Sequence, residues 1–367
     1  MKPYKIIISG GGTGGHIFPA LSIAGELKQR FPDADVLFVG ATGRMEMERV
    51  PAAGFPITGL PVMGFPRKPG FAYLRFAWNL IRSMAMARRI VRQFKPDLAI
   101  GVGGYASGPL LRAASAFKVP TLIQEQNSYA GLTNKLLGKK ASAICVAYEG
   151  MERFFPKEKL IVTGNPVRPS LLKLTISKEE ALAHYGLSNF TQVVLITGGS
   201  LGARTINNAM LRNLDSLGSM DVAFIWQTGS YYFEEMSEKT RETLPGNVQI
   251  HKFLNNMDAA YMASDVVISR AGASTLSELC LASLPAILVP SPNVAEDHQT
   301  RNAEALTQKS AAILIPDQNL EKELVPVLTR LLANQDQLKQ LSLNIRQLAK
   351  PNATSDIVDV ALTLLKR

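Results

Sequence analysis

Short runs of β-branched and other apolar residues alternate with amphipathic helical patterns along the whole chain. One series of runs occupies residues 5–8, 36–39, 98–102, 121–123, 142–146 and 160–163, and a second occupies 193–197, 223–227, 248–251, 266–269, 286–289 and 312–315. Such alternation is typical of βαβ units on parallel sheets. The two series therefore predict two tandem, Rossmann-like, doubly wound α/β domains that face a cleft.

The chain has 367 residues, more than one hydrophobic core usually serves, which agrees with two domains. Two prolines in the segment Gly-Asn-Pro-Val-Arg-Pro, at 164–169, mark the predicted linker. We predict an N-terminal domain over 1–164, a C-terminal domain over 165–350 and a final helix over 351–367. The apolar stripe of that helix is formed by Ile357, Val360, Ala361, Leu364 and Leu365.

Composition narrows the class of protein. Hydrophobic residues make up 46% of the chain and charged residues 19%, which excludes a disordered or fibrous protein. The net charge of +10 favours an anionic partner, such as a phosphate group, a nucleic acid or an acidic membrane surface. Because Cys145 and Cys280 both lie in apolar runs, we expect no disulfide framework and a reducing compartment. No run reaches the roughly 18 to 20 apolar residues of a membrane-spanning helix.

Glycine-rich segments follow four of the predicted strands. The first, Gly10-x-Gly12-x-x-Gly15, matches the pattern that brings backbone N–H groups to an anion at a helix N-terminus. A dinucleotide site also needs an acidic residue at the end of the second strand, where residues 40–42 read Gly-Ala-Thr. This argues against a nicotinamide or flavin dinucleotide. A tight turn without a ligand is the alternative for this segment taken alone.

The other three glycine-rich segments lie at 101–108, 198–202 and 270–274. In open α/β sheets, ligands bind outside the carboxyl ends of the strands. Four such segments in two domains therefore predict a diphosphate ligand in the cleft between the domains.

Metal ligands are not expected. Asp33 and Asp35 form a D-x-D pair, but they precede their strand. They therefore lie at the amino ends of the strands, opposite to the glycine-rich segments. The four histidines, none with a metal-ligand spacing, are His16, His184, His251 and His298. The sequence thus predicts neither a metal site nor a cofactor.

Seven motifs, in order along most of the chain, are similar to those of one enzyme family. They are GGGTGGHIFPALSIA (10–24), GVGGYASGP (101–109), EQNSYAGLTNK (125–135), GNPVR (164–168), GGSLGAR (198–204), SRAGASTLSE (269–278) and DHQTRNA (297–303). The chain thereby resembles the MurG family of bacterial N-acetylglucosaminyltransferases, which convert lipid I, an undecaprenyl-diphosphate-linked muramoyl peptide, to lipid II. The resemblance implies a GT-B fold, with the acceptor on the N-terminal domain, UDP-N-acetylglucosamine on the C-terminal domain, and the final helix packed back on the N-terminal domain.

The resemblance also implies which residues contact the donor. They are Thr13, Gly14, Gly15, Asn127, Arg168, Ser200, Leu254, Ala273, Ser274, Thr275, Leu276, Ser277, Glu278 and Gln299. Leu254 would contact the uracil through backbone groups. Ser274 and Thr275 would begin a helix beneath the diphosphate, where free N–H groups and the helix dipole favour an anion. Glu278 would accept hydrogen bonds from the ribose hydroxyls, and a helix-capping carboxylate is the alternative.

The reaction needs a base for the C4 hydroxyl of the acceptor. His16 is the candidate, because its ordinary pKa lies near the working pH and it lies where the first glycine-rich segment meets a helix. A structural histidine at a helix start is the alternative, and Glu125 is the rival base. Arg168 and the helix that begins near Ser274 would stabilise the departing UDP, and a single displacement would invert the anomeric carbon. The family often has histidine before its Glu-Gln-Asn triplet, whereas this chain has Gln124, which cannot act as an acid or a base.

Residues 61–100 contain eight basic residues and one acidic residue. Arg75, Arg82 and Arg89 recur every seven positions beside an apolar stripe, which suits a helix that rests on anionic lipid without crossing it. The predicted membrane contacts are Phe65, Arg67, Lys68, Phe71, Tyr73, Leu74, Arg75 and Trp78. An ordinary helix with its apolar stripe in the core is the alternative, and it is favoured for the later turns, at 90–94.

Two other functions compete with the transferase. A UDP-N-acetylglucosamine 2-epimerase of the same fold would need the donor site but no lipid-facing segment. A non-enzymatic binder of polyisoprenyl phosphate would not need His16, Asn127, Arg168 and Glu278. The favoured interpretation is an inverting hexosyltransferase of peptidoglycan synthesis, peripheral on the cytoplasmic side of the inner membrane. Its partners would be UDP-N-acetylglucosamine, lipid I, anionic phospholipid and other cell-wall synthesis proteins, but not nucleic acid.

Overall fold

The computed structural model describes residues 3–64, 70–173 and 176–365. The chain divides into two compact units: the first unit is Met1–Arg168 with Lys350–Arg367, and the second unit is Pro169–Ala349. The first unit ends at Arg168 rather than at residue 164. Within that unit the Asn165 side chain accepts from Gln124 Nε2 and donates to Gln126 O.

The first unit begins with alternating strands and helices. Its strands are β1 (Lys5–Ser9), β2 (Asp35–Ala41), β3 (Ile57–Leu60), β4 (Leu98–Gly101), β5 (Thr121–Glu125), β6 (Ala143–Val146) and β7 (Leu160–Val162). The helices between them are α1 (Gly14–Arg30), α2 (Glu46–Ala52), α3 (Phe71–Phe94), α4 (Ser107–Ala116) and α5 (Leu132–Gly138).

These strands form one parallel sheet in the order β3-β2-β1-β4-β5-β6-β7. Successive side chains of a strand lie on opposite faces, so Ile6 and Ile8 enter one core and Ile7 enters the other. Both faces are covered, which explains why the strands consist of continuous apolar runs instead of alternating polar and apolar residues.

The second unit repeats the same pattern. Its strands are β8 (Val193–Thr197), β9 (Ala223–Gln227), β10 (Val248–His251), β11 (Val266–Ser269), β12 (Ala286–Leu288) and β13 (Ile313–Leu314). Its helices are α6 (Lys178–His184), α7 (Arg204–Arg212), α8 (Leu214–Gly218), α9 (Phe233–Thr240), α10 (Met257–Ala263), α11 (Ala273–Ala282), α12 (His298–Thr307), α13 (Leu320–Leu332) and α14 (Gln335–Gln347).

The sheet of the second unit is also parallel, in the order β10-β9-β8-β11-β12-β13. Its core includes Phe224 and Trp226, both fully buried. The Trp226 Nε1–H donates to Asn207 Oδ1 over 3.0 Å, so this buried indole has the partner that it needs.

The last helix, α15 (Ala353–Leu365), packs against α1 in the first unit. Ile357, Ala361 and Leu364 are buried in the core that contains Ile6 and Ile8. The Arg30 guanidinium of α1 also binds the carboxylate of Asp359 and the hydroxyl of Ser355 in α15.

Each of the twelve predicted runs overlaps one strand, but β3 is not predicted. This strand has four residues with Gly59 among them, and Pro56 and Pro61 flank it. It lies at the edge of the sheet, where short and interrupted strands are tolerated. Within the described residues, no helix has the length and apolar character that crossing a bilayer requires.

Candidate functional site

In the first unit the strand order reverses between β1 and β4, and two glycine-rich loops meet there. A Cβ built on Gly104 would lie 2.3 Å from Gly11 O, and Gly103 and Gly104 have φ values of +101° and +85°. These torsions and this close backbone approach require glycine. Open α/β sheets bind ligands at such reversals, outside the carboxyl ends of the strands.

His16 lies at this junction as the third residue of α1. Its Nδ1 is 3.0 Å from Gln126 Oε1, in the segment that follows β5. A Cβ on Gly103 would lie 2.8 Å from both Nδ1 and Cε1 of the His16 ring. The glycine therefore makes room for the imidazole, and the fold brings His16 together with the Glu-Gln-Asn triplet.

Glu125 is the last residue of β5 and is only 2% exposed. Its Oε1 accepts from the backbone N–H and from Nδ2 of Asn127, at 3.0 and 3.2 Å. Its Oε2 accepts from Gly131 N–H at 3.0 Å and from Asn134 Nδ2 at 2.8 Å. Both oxygens of the carboxylate thus hold the loop between β5 and α5, and Asn127 is positioned through that loop.

Gln124 is fully buried in β5. Its Nε2 donates to Asn165 Oδ1 over 3.0 Å, and its Oε1 accepts from Gln126 Nε2. This residue therefore adds a neutral, hydrogen-bonded amide to the interior of the first unit instead of a titratable group.

Thr13, Gly14 and Gly15 form the start of α1. Thr13 is the N-cap residue, and its carbonyl accepts from the N–H groups of His16 and Ile17. Its side chain makes no capping hydrogen bond to the described residues, and the first turn has no acidic side chain. The N–H groups and the positive end of the dipole at this start suit an anion.

Glu46 is a buried carboxylate at the start of α2, just after β2. It accepts from the backbone N–H groups of Gly12 and Ala41. A Cβ on Gly11 would lie 2.2 Å from Glu46 Oε1, so the glycine leaves room for this carboxylate. An acidic residue after the second strand is expected in a dinucleotide site, but this one faces the inside of the loop.

In the second unit the strand order reverses between β8 and β11. The loop after β8 touches the loop after β9, since a Cβ on Gly202 would lie 2.0 Å from Thr228 O. Ser200 is exposed in the first of these loops, and its carbonyl accepts from the N–H and Oγ of Ser230 at 3.1 and 3.2 Å. Arg168 is exposed at the end of the first unit.

The loop after β11 leads into α11, the helix that contains the predicted diphosphate contacts. Its first six residues are Ala273, Ser274, Thr275, Leu276, Ser277 and Glu278. Gly272 is the N-cap residue, and no side chain in the described part of the chain caps this helix. The buried Ser274 Oγ has no hydrogen-bond partner there either, whereas Ser277 Oγ donates to Ala273 O over 3.0 Å. Backbone N–H groups and one hydroxyl at a helix start match the chemistry of a phosphate group.

Glu278 lies one turn into α11 and is 8% exposed. The Tyr261 hydroxyl donates to Glu278 Oε2 over 2.9 Å, and Tyr261 itself is buried in α10. Tyr261 therefore fixes one oxygen of the carboxylate and sets the orientation of the other.

Leu254 and Gln299 are both hydrogen-bonded inside the second unit. The Leu254 N–H donates to Gln227 Oε1 over 2.9 Å, while Gln227 Nε2 donates to Thr197 Oγ1 over 3.0 Å. Gln299 is the second residue of α12, and its Oε1 accepts from Ser291 N–H over 2.8 Å. Of the two backbone groups of Leu254, the carbonyl is the one not engaged by Gln227.

Helix α3 carries an exposed apolar stripe. Leu74, Trp78 and Ile81 are 68%, 63% and 63% exposed. At 100° per residue they lie on the side of the helix opposite to Ser83 and Ala87, which are fully buried. The helix thus uses one face for the core of the first unit and leaves a second apolar face uncovered among the described residues.

Basic residues flank that exposed stripe. Arg75, Arg82 and Arg89 are exposed along one line of α3, and Tyr73 is partly exposed in its first turn. Of the other predicted membrane contacts, Phe65, Arg67 and Lys68 lie outside the described residues, and Phe71 is the first residue of α3.

The described residues contain no group of three or more His, Cys, Asp or Glu side chains that could hold a metal ion. Asp35 lies at the amino end of β2, away from the loops at the carboxyl ends of the strands. Burial raises the pKa of the Cys145 and Cys280 thiols to about 12, so both stay protonated near neutral pH.

Four side chains that hold these loops were not predicted from sequence: Glu46, Gln126, Gln227 and Tyr261. Gln126 lies inside the quoted Glu-Gln-Asn triplet, and Glu46 follows β2, so a signal existed for both. Gln227 and Tyr261 carry no local signal, because their partners are 27 and 17 residues away along the chain.

Two family descriptions match the chain. The glycosyltransferase family 28 N-terminal domain matches residues 6–146, and the glycosyltransferase family 28 C-terminal domain matches residues 193–357. The first match includes β1 to β6 and the second includes β8 to β13, and each includes two of the glycine-rich loops.

Individual relatives match over the full length. A UDP-N-acetylglucosamine--N-acetylmuramyl-(pentapeptide) pyrophosphoryl-undecaprenol N-acetylglucosamine transferase of Parabacteroides distasonis is 55% identical, with 100% of both chains covered. The crystal structure of Acinetobacter baumannii MurG has a TM-score of 0.79 at 30% identity, covering 98% of this chain and all of that one. A UDP-GlcNAc 2-epimerase of Neisseria meningitidis, 18% identical with a TM-score of 0.69 and coverage of 98% and 100%, shares the fold alone.

Proposed function

Because the chain belongs to glycosyltransferase family 28, and within it to the MurG family, we propose that it transfers N-acetylglucosamine from UDP-N-acetylglucosamine to an undecaprenyl-diphosphate-linked muramoyl peptide. The product is the lipid-linked disaccharide of peptidoglycan synthesis. The observation that carries this proposal is the full-length, 55% identity to a transferase of that name. The GT-B fold, with its two parallel α/β units, agrees with it.

The second unit supplies the groups for the donor. The start of α11 offers backbone N–H groups and the Ser274 hydroxyl, which suit the diphosphate. Glu278, oriented by Tyr261, would accept hydrogen bonds from the ribose hydroxyls. The Leu254 carbonyl would accept from a donor group of the uracil, since its N–H is already engaged by Gln227.

The first unit supplies the base. His16 takes the proton of the acceptor C4 hydroxyl as that oxygen bonds to the anomeric carbon of the donor. The bond between this carbon and the diphosphate oxygen breaks at the same time, and its electron pair leaves with UDP. One displacement inverts the anomeric carbon and gives a β-1,4 link. Arg168 and the dipole of α11 are proposed to stabilise the charge on UDP.

The contacts of the two candidate bases favour His16 over Glu125. Each oxygen of Glu125 already accepts two N–H bonds, so this carboxylate is engaged in holding the loop between β5 and α5. His16 lies where the two glycine-rich loops meet. Gln126 contacts its Nδ1, so Nε2 is the nitrogen that we propose takes the proton. The roles implied for Thr13, Gly14, Gly15 and Asn127 stay predictions.

A lipid-linked acceptor requires contact with a membrane, and we propose that α3 provides it. Leu74, Trp78 and Ile81 would enter the interface while Arg75 and Arg82 contact anionic headgroups. The proposed location is therefore peripheral, on an anionic phospholipid surface and on the side of the membrane where UDP-N-acetylglucosamine is present. Other cell-wall synthesis proteins are proposed as partners on general grounds of substrate supply.

Product analysis tests the proposed function. The protein is incubated with UDP-N-acetylglucosamine, with and without a short-chain lipid-linked muramoyl peptide, and all products are separated and analysed by NMR. A transferase gives a β-1,4-linked disaccharide lipid only when the acceptor is present. Formation of the 2-epimer of the donor sugar without acceptor would instead identify an epimerase and overturn the proposal.

A further inference from the structure

Four buried or half-buried polar side chains of the first unit form one directed chain of hydrogen bonds. They are His16, Gln126, Gln124 and Asn165. Gln124, Gln126 and Asn165 are each 2% exposed or less, so their hydrogen bonds are made inside the protein.

Backbone carbonyls fix the orientation of the two amides that decide the direction of this chain. Gln126 Nε2 lies 2.6 Å from Val102 O, and Asn165 Nδ2 lies 3.1 Å from Gln126 O. A carbonyl oxygen can only accept, so each must face the NH₂ group of its amide. Gln126 Oε1 is therefore the atom that faces His16.

An amide oxygen also only accepts hydrogen bonds, so the His16 nitrogen that faces it must be a donor. Nδ1 of His16, 3.0 Å from Gln126 Oε1, must donate, and so it carries the proton of the neutral ring. We infer that Gln126 is a positioning residue that holds His16 in the Nδ1–H tautomer and thereby makes Nε2 the basic nitrogen. In the opposite tautomer, two lone pairs would face each other at Nδ1 and Oε1.

Gln124 reinforces this arrangement without deciding it. Its Oε1 accepts the second hydrogen of Gln126 Nε2, and its own Nε2 donates to Asn165 Oδ1. If Gln124 loses its amide, Val102 O still requires Gln126 Nε2 to face it, so the oxygen of Gln126 still faces His16. The two glutamines thus form a matched pair, equally buried, with different expected effects on the His16 tautomer.

The expected effect on turnover rests on the proposed function, whereas the assignment of the His16 tautomer rests on the hydrogen bonds alone. A base that takes the acceptor proton at Nε2 needs a lone pair there, and Gln126 provides it before substrate binds. Loss of a group that sets a histidine tautomer can lower turnover by up to about 10⁴-fold where that group is a carboxylate. For a neutral amide we expect a smaller loss of kcat, about tenfold or more, with the donor KM changed little.

The test is the ¹⁵N NMR spectrum of the full-length protein with labelled histidine, at a pH where the rings are neutral, about two units above the ordinary pKa of about 6.5. The four histidines are few enough to resolve, and His16→Asn identifies the His16 signals by their loss. We expect the Nδ1–H pattern in the unsubstituted protein. We expect Gln126→Met to populate both tautomers and Gln124→Met to keep Nδ1–H.

An Nε2–H pattern for His16 in the unsubstituted protein would overturn the inference, even if Gln126→Met failed to fold. So would a Gln126→Met spectrum unchanged at His16. Since no substrate is present, an Nδ1–H result in a protein without transferase activity would contradict the proposed function alone.

Discussion

The carboxylate of Glu46 supports the first glycine-rich loop from inside: Oε2 accepts from Gly12 N–H and Oε1 from Ala41 N–H, both over 2.9 Å. Glu46 is fully buried. The Gly12 N–H is therefore already bound to a carboxylate, and this carboxylate lies beside a loop whose glycine spacing matches the dinucleotide fingerprint. A pyrophosphate approaching Gly12 would meet that charge, so the loop shape alone is a poor guide to its ligand.

Removal of the Glu46 carboxylate should destabilise the first unit. In Glu46→Ala the N–H groups of Gly12 and Ala41 lose their partner in a buried site, and each costs about 1 to 3 kcal/mol. We expect the free energy of unfolding to fall by about 2 to 6 kcal/mol, measured by urea titration. Glu48→Ala, an exposed change in the same helix, is the control and should stay within about 0.5 kcal/mol. Equal effects of both changes would contradict this role.

Replacement of His16 should affect chemistry and not donor binding. A single general base contributes about 10²- to 10⁴-fold, so His16→Ala should lower kcat by that factor with the donor KM nearly unchanged. The comparison is Glu125→Ala, which should lower both activity and thermal stability, because four hydrogen bonds in the β5 to α5 loop are lost. A stable Glu125→Ala protein with intact donor binding and a larger loss of kcat would transfer the base role to Glu125.

Glu278 should determine the affinity for the donor. A hydrogen bond to a charged group contributes about 1.5 to 3 kcal/mol, so Glu278→Ala should raise the donor KM by about 10- to 150-fold. Tyr261→Phe keeps the carboxylate but removes its orienting hydroxyl, and it should raise the donor KM by a smaller factor. An unchanged donor KM in Glu278→Ala would show that the carboxylate only supports α11.

Reversal of the charges on α3 should release the protein from anionic vesicles. Each basic residue near such a surface contributes about 1 kcal/mol, so Arg75, Arg82 and Arg89 changed together to Glu should abolish flotation at low salt. Activity on a water-soluble acceptor should remain. Binding of the unsubstituted protein should weaken at high salt, because the Debye length falls from about 10 Å at 0.1 M to about 3 Å at 1 M.

A matched reversal in the second unit is the control for flotation. The exposed residues Lys322, Arg330 and Lys339 give the same change in net charge when they are replaced by Glu. This variant should still float with anionic vesicles. If both variants lost binding equally, net charge and not the surface of α3 would account for the interaction.

The fold could be predicted from sequence because its strands are buried on both faces. Continuous apolar runs such as 193–197 and 223–227 give a strong local signal, and glycine-rich segments mark the strand ends. Strand β3 could not be predicted, since Gly59 interrupts it and two prolines flank it. Its pairing with β2 depends on a contact that the local sequence does not specify.

The candidate site was predictable only where a motif carries it. His16, Ser274 and Glu278 stand in motifs that resemble a known family. Gln126 also stands in such a motif, but its role depends on a contact with a histidine 110 residues away. Tyr261 lies in none of the motifs, and it contacts a carboxylate in another helix. Contacts of this kind form only when the chain folds, so the residues next to each partner in the sequence do not predict them.

The most direct measurement of the proposed transfer is the stoichiometry of a reaction between sugar-labelled UDP-N-acetylglucosamine and a short-chain lipid-linked muramoyl peptide. UDP release and label in the lipid fraction are followed together in one tube. We expect one UDP per labelled disaccharide lipid, neither product without acceptor, and both rates reduced in parallel by His16→Ala. UDP release that exceeds lipid labelling, or that proceeds without acceptor, would contradict the account.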